Sequence, residues 1–454
     1  MTLPYTRLVS HILFPLHERL KSHQSVQRKV ELEHSQWLSA EALHALTQQR
    51  LQAFLTDVNK VNPYFSGLFK SRGLEPSDFS DPEILSRIPY LDKERIRANQ
   101  QSMLSQNIKP PQFMTTSGSS GQPLKFAVGK ERISHDIAAK WRATRWWDVD
   151  IGDPEAVIWG SGIELNGQGI AKRVRDRMMR SQLFPAKQLK SHELLDLYHR
   201  LIAYRPAMIY GYPSILTLLA ETARAHGLNN NNNNSSELKV IFCTAEKLYD
   251  PQRQLIEEVF NAPVANGYGS RDAGFIAHEC PHGNLHISAE DVIVEILDDQ
   301  QKPLAIGEQG EIVVTHLSTR AFPMIRYRTG DIGRLSAGRC PCGRGLPILA
   351  EVIGRANDLL KATDGASVHG AFIGNIVRED PAVGQFQFIQ NTPTSFELKV
   401  VCRDNLLPDR NRLQAALCKV LGREAQIQIN AVAAIEAEET GKFKYIINRC
   451  QLNH

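Results

Sequence analysis

Residues 193–251 alternate helical-period segments with short apolar runs, and that alternation narrows the fold more than any other feature of the chain. Residues 193–204 carry Leu194, Leu197, Tyr198, Leu201 and Ile202 at helical spacing, and Ala207-Met208-Ile209-Tyr210 follows as an expected strand. Ser214 is expected to cap a helix running to Ala225, with Gly227 as its stop. Val240-Ile241-Phe242-Cys243 reads as a second buried strand, and Asp250-Pro251 opens the next helix, proline being preset for a first turn. Strands apolar along their whole length must be covered on both faces. The alternation therefore calls for the α/β class, a sheet with helices packed on both sides.

The flanking segments read differently. Residues 1–100 form a mainly helical leader, with Leu43, Leu46, Leu51, Phe54 and Leu55 at helical spacing and a turn at Ile88-Pro89-Tyr90-Leu91-Asp92-Lys93 before a further helix. From Asp291 strands dominate: 292–297, a turn at Asp298-Asp299, then 311–315. The last hundred residues offer strands at 386–389, 397–402 and 426–430 around a helix at 406–421, a small α+β unit joined near Gly354-Arg355. The expected organisation is a large N-terminal domain of helix-covered β-sheets, 1–353, and a small α+β C-terminal domain, 354–454. Six asparagines, 229–234, followed by Ser235-Ser236, read as a solvated loop tip without a functional role.

The net charge of +4, from 53 basic and 49 acidic residues mixed along the chain, lacks the basic stripe of a nucleic-acid binder, so no nucleic acid is expected as a partner. Arg7, His11, His17 and Arg19 interrupt the first twenty residues, so no secretory signal is expected there. No window approaches the length of uncharged apolar sequence that a spanning helix needs, so no membrane partner is expected either. Seven cysteines, an odd number in a long chain, point to reduced thiols and a cytoplasmic protein.

The stretch Met114-Thr115-Thr116-Ser117-Gly118-Ser119-Ser120-Gly121-Gln122-Pro123 is rich in glycine and small hydroxyl side chains. Such a loop can fold closely around phosphate oxygens and offer them backbone N–H groups. No Gly-Lys-Ser/Thr follows, which excludes the P-loop, and on its own the stretch also suits a flexible Ser/Gly linker. Later segments decide between the two. Asn266-Gly267-Tyr268-Gly269-Ser270-Arg271-Asp272, Tyr327-Arg328-Thr329-Gly330-Asp331, Gly354-Arg355-Ala356-Asn357-Asp358 and Thr440-Gly441-Lys442-Phe443-Lys444 follow in order. In sequence and spacing these resemble the phosphate loop, aromatic-glycine motif, Tyr-x-Thr-Gly-Asp motif, hinge and C-terminal lysine motif of the adenylate-forming superfamily. Within it, Tyr210-Gly211-Tyr212-Pro213-Ser214 and Val368-His369-Gly370-Ala371-Phe372 are most similar to phenylacetate–coenzyme A ligases and to their capsular-polysaccharide-associated adenylating relatives. The resemblance covers roughly residue 50 to the C-terminus.

That resemblance implies ATP-dependent activation of a small, aromatic or other, carboxylic acid to an acyl-adenylate, then transfer to a thiol, with coenzyme A the first candidate. It implies that Thr116, Ser117, Gly118, Ser119, Ser120 and Gly121 cradle phosphates, that Tyr268 and Gly269 pack near adenine, and that Asp331 holds the ribose. Asp272 would bind Mg²⁺, Arg355 would reach a phosphate, and Lys442 would bridge the carboxylate and the α-phosphate. The C-terminal domain would be mobile about residues 354–358, and a homodimer is the family's expectation. Taken without the resemblance, Asp331 is also a simple turn acid, Lys442 a surface lysine and Arg355 a solvated one. The chain departs from the family at Arg271-Asp272, where Thr/Ser-Glu is usual, at Asn357 in the hinge, and at Thr363-Asp364-Gly365-Ala366, where a glycine-rich sequence is usual. These departures leave two other readings in play: transfer to an acyl-carrier protein or an amine, and a non-catalytic homologue that binds nucleotide or a partner.

Cys340-Pro341-Cys342 and Cys280-Pro281-His282 each place two soft ligands in a turn, with His278 and His286 nearby. Two such pairs can form one closed, structural zinc site. The expected ligands are Cys280, His282, Cys340 and Cys342, a set some phenylacetate–coenzyme A ligase relatives also carry; unligated cysteines in turns are the alternative.

Overall fold

The computed structural model describes residues 4–108, 111–116, 124–159, 169–186, 191–228, 237–298, 300–355, 359–403, 406–436 and 443–450. The chain divides into two compact units: residues 1–329 with 333–352, and residues 330–332 with 353–454.

Three helices of the leader, Ala40–Val61, Pro63–Ser71 and Lys93–Asn99, begin on a side chain that accepts from a free backbone N–H group. Ser39 accepts from the Ala42 amide and starts Ala40–Val61, a helix longer at both ends than the 43–58 stripe foretold. Its Leu43, Leu51, Phe54, Leu55 and Val58 are buried. Asn62 caps Pro63–Ser71 and also donates to the Met103 carbonyl at 2.8 Å, tying this helix to the turn after Lys93–Asn99. Asp92 caps Lys93–Asn99, accepting from the Arg95 amide.

The first strands, β1 (Gln112–Thr115) and β2 (Lys125–Val128), form an antiparallel hairpin. The main sheet then gathers β3 (Glu155–Trp159), β4 (Ser181–Pro185), β5 (Met208–Gly211), β6 (Val240–Thr244), β7 (Val264–Ser270), β8 (Gly274–Glu279), β9 (Leu285–Ile287), β10 (Val292–Leu297), β11 (Gly310–His316), β12 (Met324–Ser336) and β13 (Ile348–Arg355). Its strand order is β10-β11-β12-β13-β9-β8-β7-β6-β5-β3-β4. Pairing is parallel from β4 to β7 and antiparallel at β7–β8, β8–β9, β9–β13 and β10–β11.

Side chains alternate across the parallel strands as a two-sided cover requires. Ile209, Ile241, Cys243 and Val264 face a layer made by Leu197 and Leu201 of Ser191–Tyr204, Leu216 and Leu219 of Pro213–Ala225, and Ile256 of Asp250–Phe260. Met208, Val240, Phe242 and Ala265 face the other way, onto Val149 and Trp147. The strands thus lie where the apolar runs placed them, but two helix caps differ. Pro213–Ala225 starts two residues early, with Tyr212 as N-cap, and the Ser214 amide is taken by the Glu246 carboxylate at 3.0 Å. Tyr249, not Asp250, caps the following helix. The asparagine run 229–234 lies outside the described residues.

The smaller unit holds a hairpin of β14 (Leu359–Lys361) and β15 (Ser367–His369), then β16 (Val383–Gln390), β17 (Ser395–Cys402), β18 (Gln426–Ala431) and β19 (Ile446–Asn448). These last four form a sheet in the order β18-β17-β16-β19. Phe386, Phe388, Leu398 and Val400 pack there against Leu413, Leu417 and Leu421 of Arg410–Leu421. That helix starts four residues later than its apolar spacing suggests, because the Asp409 carboxylate accepts from the Arg412 amide and fixes the start.

Candidate active site and metal centre

Open α/β sheets bind ligands beyond the carboxyl ends of their parallel strands, and β7 is the strand at which parallel pairing stops. Tyr268, Gly269 and Ser270 end it. A bulge between Tyr268 and Gly269 brings two backbones together, so that a Cβ on Gly269 would lie 2.2 Å from the Gly274 carbonyl oxygen. Only glycine fits there. Opposite, the buried Arg132 of Lys130–Arg145 donates from Nη1 to the Asp272 carbonyl at 3.2 Å and is paired through Nε with Asp136 at 2.9 Å.

Asp272 is 6% exposed. Its Oδ1 accepts the Ser270 hydroxyl, and its Oδ2 accepts the Tyr327 hydroxyl at 2.5 Å. Burial alone would raise this carboxyl, but the two hydroxyls and the charge of Lys93 outweigh it and hold the group below the usual range. Asp272 is therefore ionised at neutral pH. Tyr268 Oη donates to Thr329 Oγ1 at 3.4 Å, and Thr329 donates in turn to the Ile312 carbonyl at 2.8 Å. The aromatic-glycine motif and the first residues of the Tyr-x-Thr-Gly-Asp motif are thus joined at two points.

A third motif reaches the same edge. The Thr116 amide donates to the Leu124 carbonyl at 2.9 Å and its hydroxyl accepts from the Leu124 amide at 2.9 Å, closing the mouth of the 117–123 segment. Arg271 donates from Nη1 to the Thr115 carbonyl at 3.0 Å. Ser117, Gly118, Ser119, Ser120 and Gly121 lie outside the described residues, as does Lys442. Asp331 is half-buried on β12, within residues 330–332 of the smaller unit, and Arg355 ends β13, its side chain outside what is described. Of the suggested pocket neighbours, Tyr210 is half-buried with its ring 6.2 Å from that of Trp159, while Tyr212 and Phe242 are buried.

The cysteines converge, with one exchange of partner. Cys280 follows β8, His286 lies on β9, and Cys340 and Cys342 sit in the turn between β12 and β13; their ligand atoms all fall within 4.8 Å of one another. Cys280 Sγ is 3.6 Å from Cys340 Sγ, and Cys342 Sγ is 3.3 Å from His286 Nε2. His282 is exposed in the Pro281–Gly283 turn and is not part of the group. Pairing of His286 with Ile348 places its ring under the Cys340–Cys342 turn, a position that contiguous Cys-Pro-His spacing does not reveal. His286 Nδ1 lies 3.1 Å from the Leu346 carbonyl, which leaves Nε2 as the ligand atom. Burial pushes the Cys280 thiol up to about 12, and a bound cation reverses such a shift, since a coordinating thiol is deprotonated outright. Three sulfurs and one imidazole fit a closed tetrahedral zinc site in number and kind.

A second group, His135, Asp136 and His316, is also close enough for a metal but has the wrong protons. His316 Nδ1 accepts from the Ser318 amide at 3.3 Å, so its Nε2 carries hydrogen and faces Asp136 Oδ1 at 3.9 Å. Arg132 already compensates that carboxylate.

The fold and this cluster of motifs define an adenylate-forming enzyme, and the comparisons agree. Residues 183–319 match the AMP-binding enzyme family and residues 360–449 the CapK C-terminal domain. The protein CapK of Staphylococcus aureus is 24% identical over 420 residues, 89% of each chain. The phenylacetate–coenzyme A ligase of Thermus thermophilus is 25% identical across 80% of this chain and 82% of its own. A crystal structure of 2-hydroxyisobutyryl-CoA ligase, in the postadenylation state with a bound acyl-AMP, superposes with a TM-score of 0.76 at 20% identity, covering 91% of this chain and 90% of that one. The two matched domains and these relatives support an adenylate-forming ligase, phenylacetate–coenzyme A ligase-like and CapK-associated.

Proposed function

We propose that the protein activates a small carboxylic acid with ATP and passes the acyl group to coenzyme A. The observation that carries this reading is the meeting of Thr115–Thr116, Tyr268–Asp272 and Tyr327–Thr329, segments far apart in sequence, at the carboxyl end of β7.

A carboxylate is a poor acyl donor because its leaving group would be oxide. Attack of a carboxylate oxygen on the α-phosphorus of ATP forms the acyl-adenylate and expels pyrophosphate. A thiol then attacks the acyl carbon, gives up its proton and expels AMP. The first step brings an anion to a polyanion, so the protein must supply donors and cations where charge develops. Thr116 to Gly121 would give the phosphates hydroxyls and backbone N–H groups, and Lys442 would neutralise the approaching carboxylate. Asp331 would accept from the ribose hydroxyls, and Arg355 would meet a phosphate. Asp272 suits Mg²⁺ in kind, an ionised hard oxygen donor. Each of its oxygens already accepts one hydroxyl, which fits an ion that keeps much of its water. Bound magnesium would screen the phosphate charge. The Cys280, His286, Cys340 and Cys342 site would hold zinc structurally, pinning the β8–β9 and β12–β13 turns.

Pyrophosphate release with ATP and magnesium, across aliphatic and aromatic acids, tests the reading in wild type and Lys442→Ala. Acid-dependent release that collapses in the variant supports it; nucleotide binding without release for any acid assigns the protein to the non-catalytic homologues. Thioester formation with coenzyme A, set against transfer to an acyl-carrier protein or an amine, decides the acceptor. Thr363-Asp364-Gly365-Ala366, where coenzyme A ligases are usually glycine-rich, keeps those other acceptors in the comparison.

A further inference from the structure

The helical run 4–21 is apolar on two sides, and among the described residues only the inner one is covered. Pro4–Leu8 is α-helical, Val9–Leu13 a π turn and Phe14–Lys21 α-helical again. The inner side is fixed: Val9 and Phe14 are buried with Ile151, Ile137 and Trp141 packed around them, and Thr6 Oγ1 donates to Asp153 Oδ1 at 2.8 Å. The outer side shows Leu8, Ile12, Leu16 and Leu20, each four residues from the last, the final three 56%, 54% and 78% exposed. Spacing of four drifts around an ideal α-helix, and the wider π turn at the start of the stripe offsets that drift. An apolar stripe of about 18 Å is thus held out on an anchored helix. A surface helix apolar on both sides has a second apolar environment to meet.

The charge around the stripe identifies that environment. Tyr5, exposed at the start of the run, donates its hydroxyl to the Met178 carbonyl at 2.9 Å and lies under the Arg180 guanidinium at 5.6 Å. This joins the stripe to Ile170–Met178, where Val174 and Met178 are exposed, again four residues apart. Across 4–21 and 170–180 the basic residues are Arg7, Arg19, Lys21, Lys172, Arg173, Arg175, Arg177 and Arg180. The acids there are Glu18, buried among His17, His23 and Ser25, and Asp176, paired with Arg175. Exposed aliphatic side chains interleaved with an excess of arginine and lysine over acids are the pattern of a surface that lies in the headgroup region of an anionic bilayer. No described helix is long and apolar enough to cross a membrane, and lying on one is a different matter. We propose that this face, formed by residues 4–21 and 170–180, docks the enzyme on anionic membrane surfaces.

The test is co-sedimentation of the full chain with vesicles of phosphatidylcholine alone or mixed with phosphatidylglycerol, at low and high salt. The expected result is binding to the anionic vesicles that falls with salt. Arg173→Gln/Arg177→Gln and Ile12→Ser/Leu16→Ser should each weaken it roughly tenfold or more, with pyrophosphate release in solution unchanged as the check on folding. Equal binding to neutral vesicles, no binding to anionic ones, or binding indifferent to both variants overturns the proposal. So does a dimer in light scattering that the Ile12→Ser/Leu16→Ser pair dissociates, since the stripe would then be covered by a second copy.

Discussion

Tyr327 Oη lies 2.5 Å from Asp272 Oδ2, a bond between two motifs fifty-five residues apart that, with the Ser270 hydroxyl, keeps the acid ionised. A hydroxyl donated to a carboxylate stabilises its charged form, and hydrogen bonds to charged groups contribute about 1.5–3 kcal/mol. Tyr327→Phe removes that donor while keeping the ring in the core. The Asp272 carboxyl should then titrate at higher pH, so the acid limb of the rate profile moves upward and pyrophosphate release is lost first on the acid side while it is kept at pH 7.5. A uniform loss at every pH, with no movement of the limb, would assign Tyr327 a packing role alone.

Gly269 offers a test that needs no chemistry. Its Cβ would stand 2.2 Å from the Gly274 carbonyl oxygen, a backbone atom held by the bulge. Gly269→Ala must push β7 from β8 at the point where Tyr268 and Asp272 are positioned. Overpacking of this kind costs about 1–3 kcal/mol, read as a lowered denaturant midpoint, and activity should fall further than stability. Gly67→Ala, with no atom within 4 Å of the new Cβ, is the matched control; equal behaviour of the two would show that β7 and β8 can part freely.

The sequence carries the architecture better than the site's internal wiring, for a physical reason. Strands at 207–210, 240–243 and 292–297 are apolar by period, and period is local. The caps at Tyr212 and Tyr249 were missed because the free amides there are met by distant or aromatic groups, Glu246 in the first case. Motif order marked Asp272, Tyr268 and Thr116, but not Arg132, which supports Asp272 from a helix 140 residues earlier. Nothing within 130–145 signals that contact. Only the glycine at 274, whose missing side chain makes room for the guanidinium, marks it in retrospect. His286 was in view as a neighbour of the cysteine pairs, yet the choice between it and His282 depends on strand pairing with Ile348, which spacing does not encode.

That choice gives a sharp prediction. Purified protein should carry about one zinc per chain. His286→Ala should lose it, with a fall in stability of several kcal/mol, whereas His282→Ala should keep both metal and stability. Metal content by plasma spectrometry and thermal unfolding with and without a chelator measure the two effects. Retention of zinc in His286→Ala with loss in His282→Ala would restore the ligand set expected from the sequence.

Acid should unfold the larger unit through its buried imidazoles. Burial pushes His278 and His316 down to about 3, with Arg142 pressing further on the first and Arg132 on the second. Both are neutral in the folded protein at pH 6, while in the unfolded chain they gain protons below about 6.5. A depressed folded pKa means stability that is fully present above the unfolded value and lost as pH falls toward the folded one. Each histidine should therefore cost about 1 kcal/mol per pH unit below 6.5. The carboxylates Asp136, Asp272 and Asp291, also held low, act in the same direction but only below the ordinary aspartate range. Denaturant unfolding at pH 7.5 and 5.5 should show the loss, and His278→Gln, which removes one of these groups, should reduce the slope by about 1 kcal/mol per pH unit. An unchanged slope in that variant would place the acid sensitivity elsewhere.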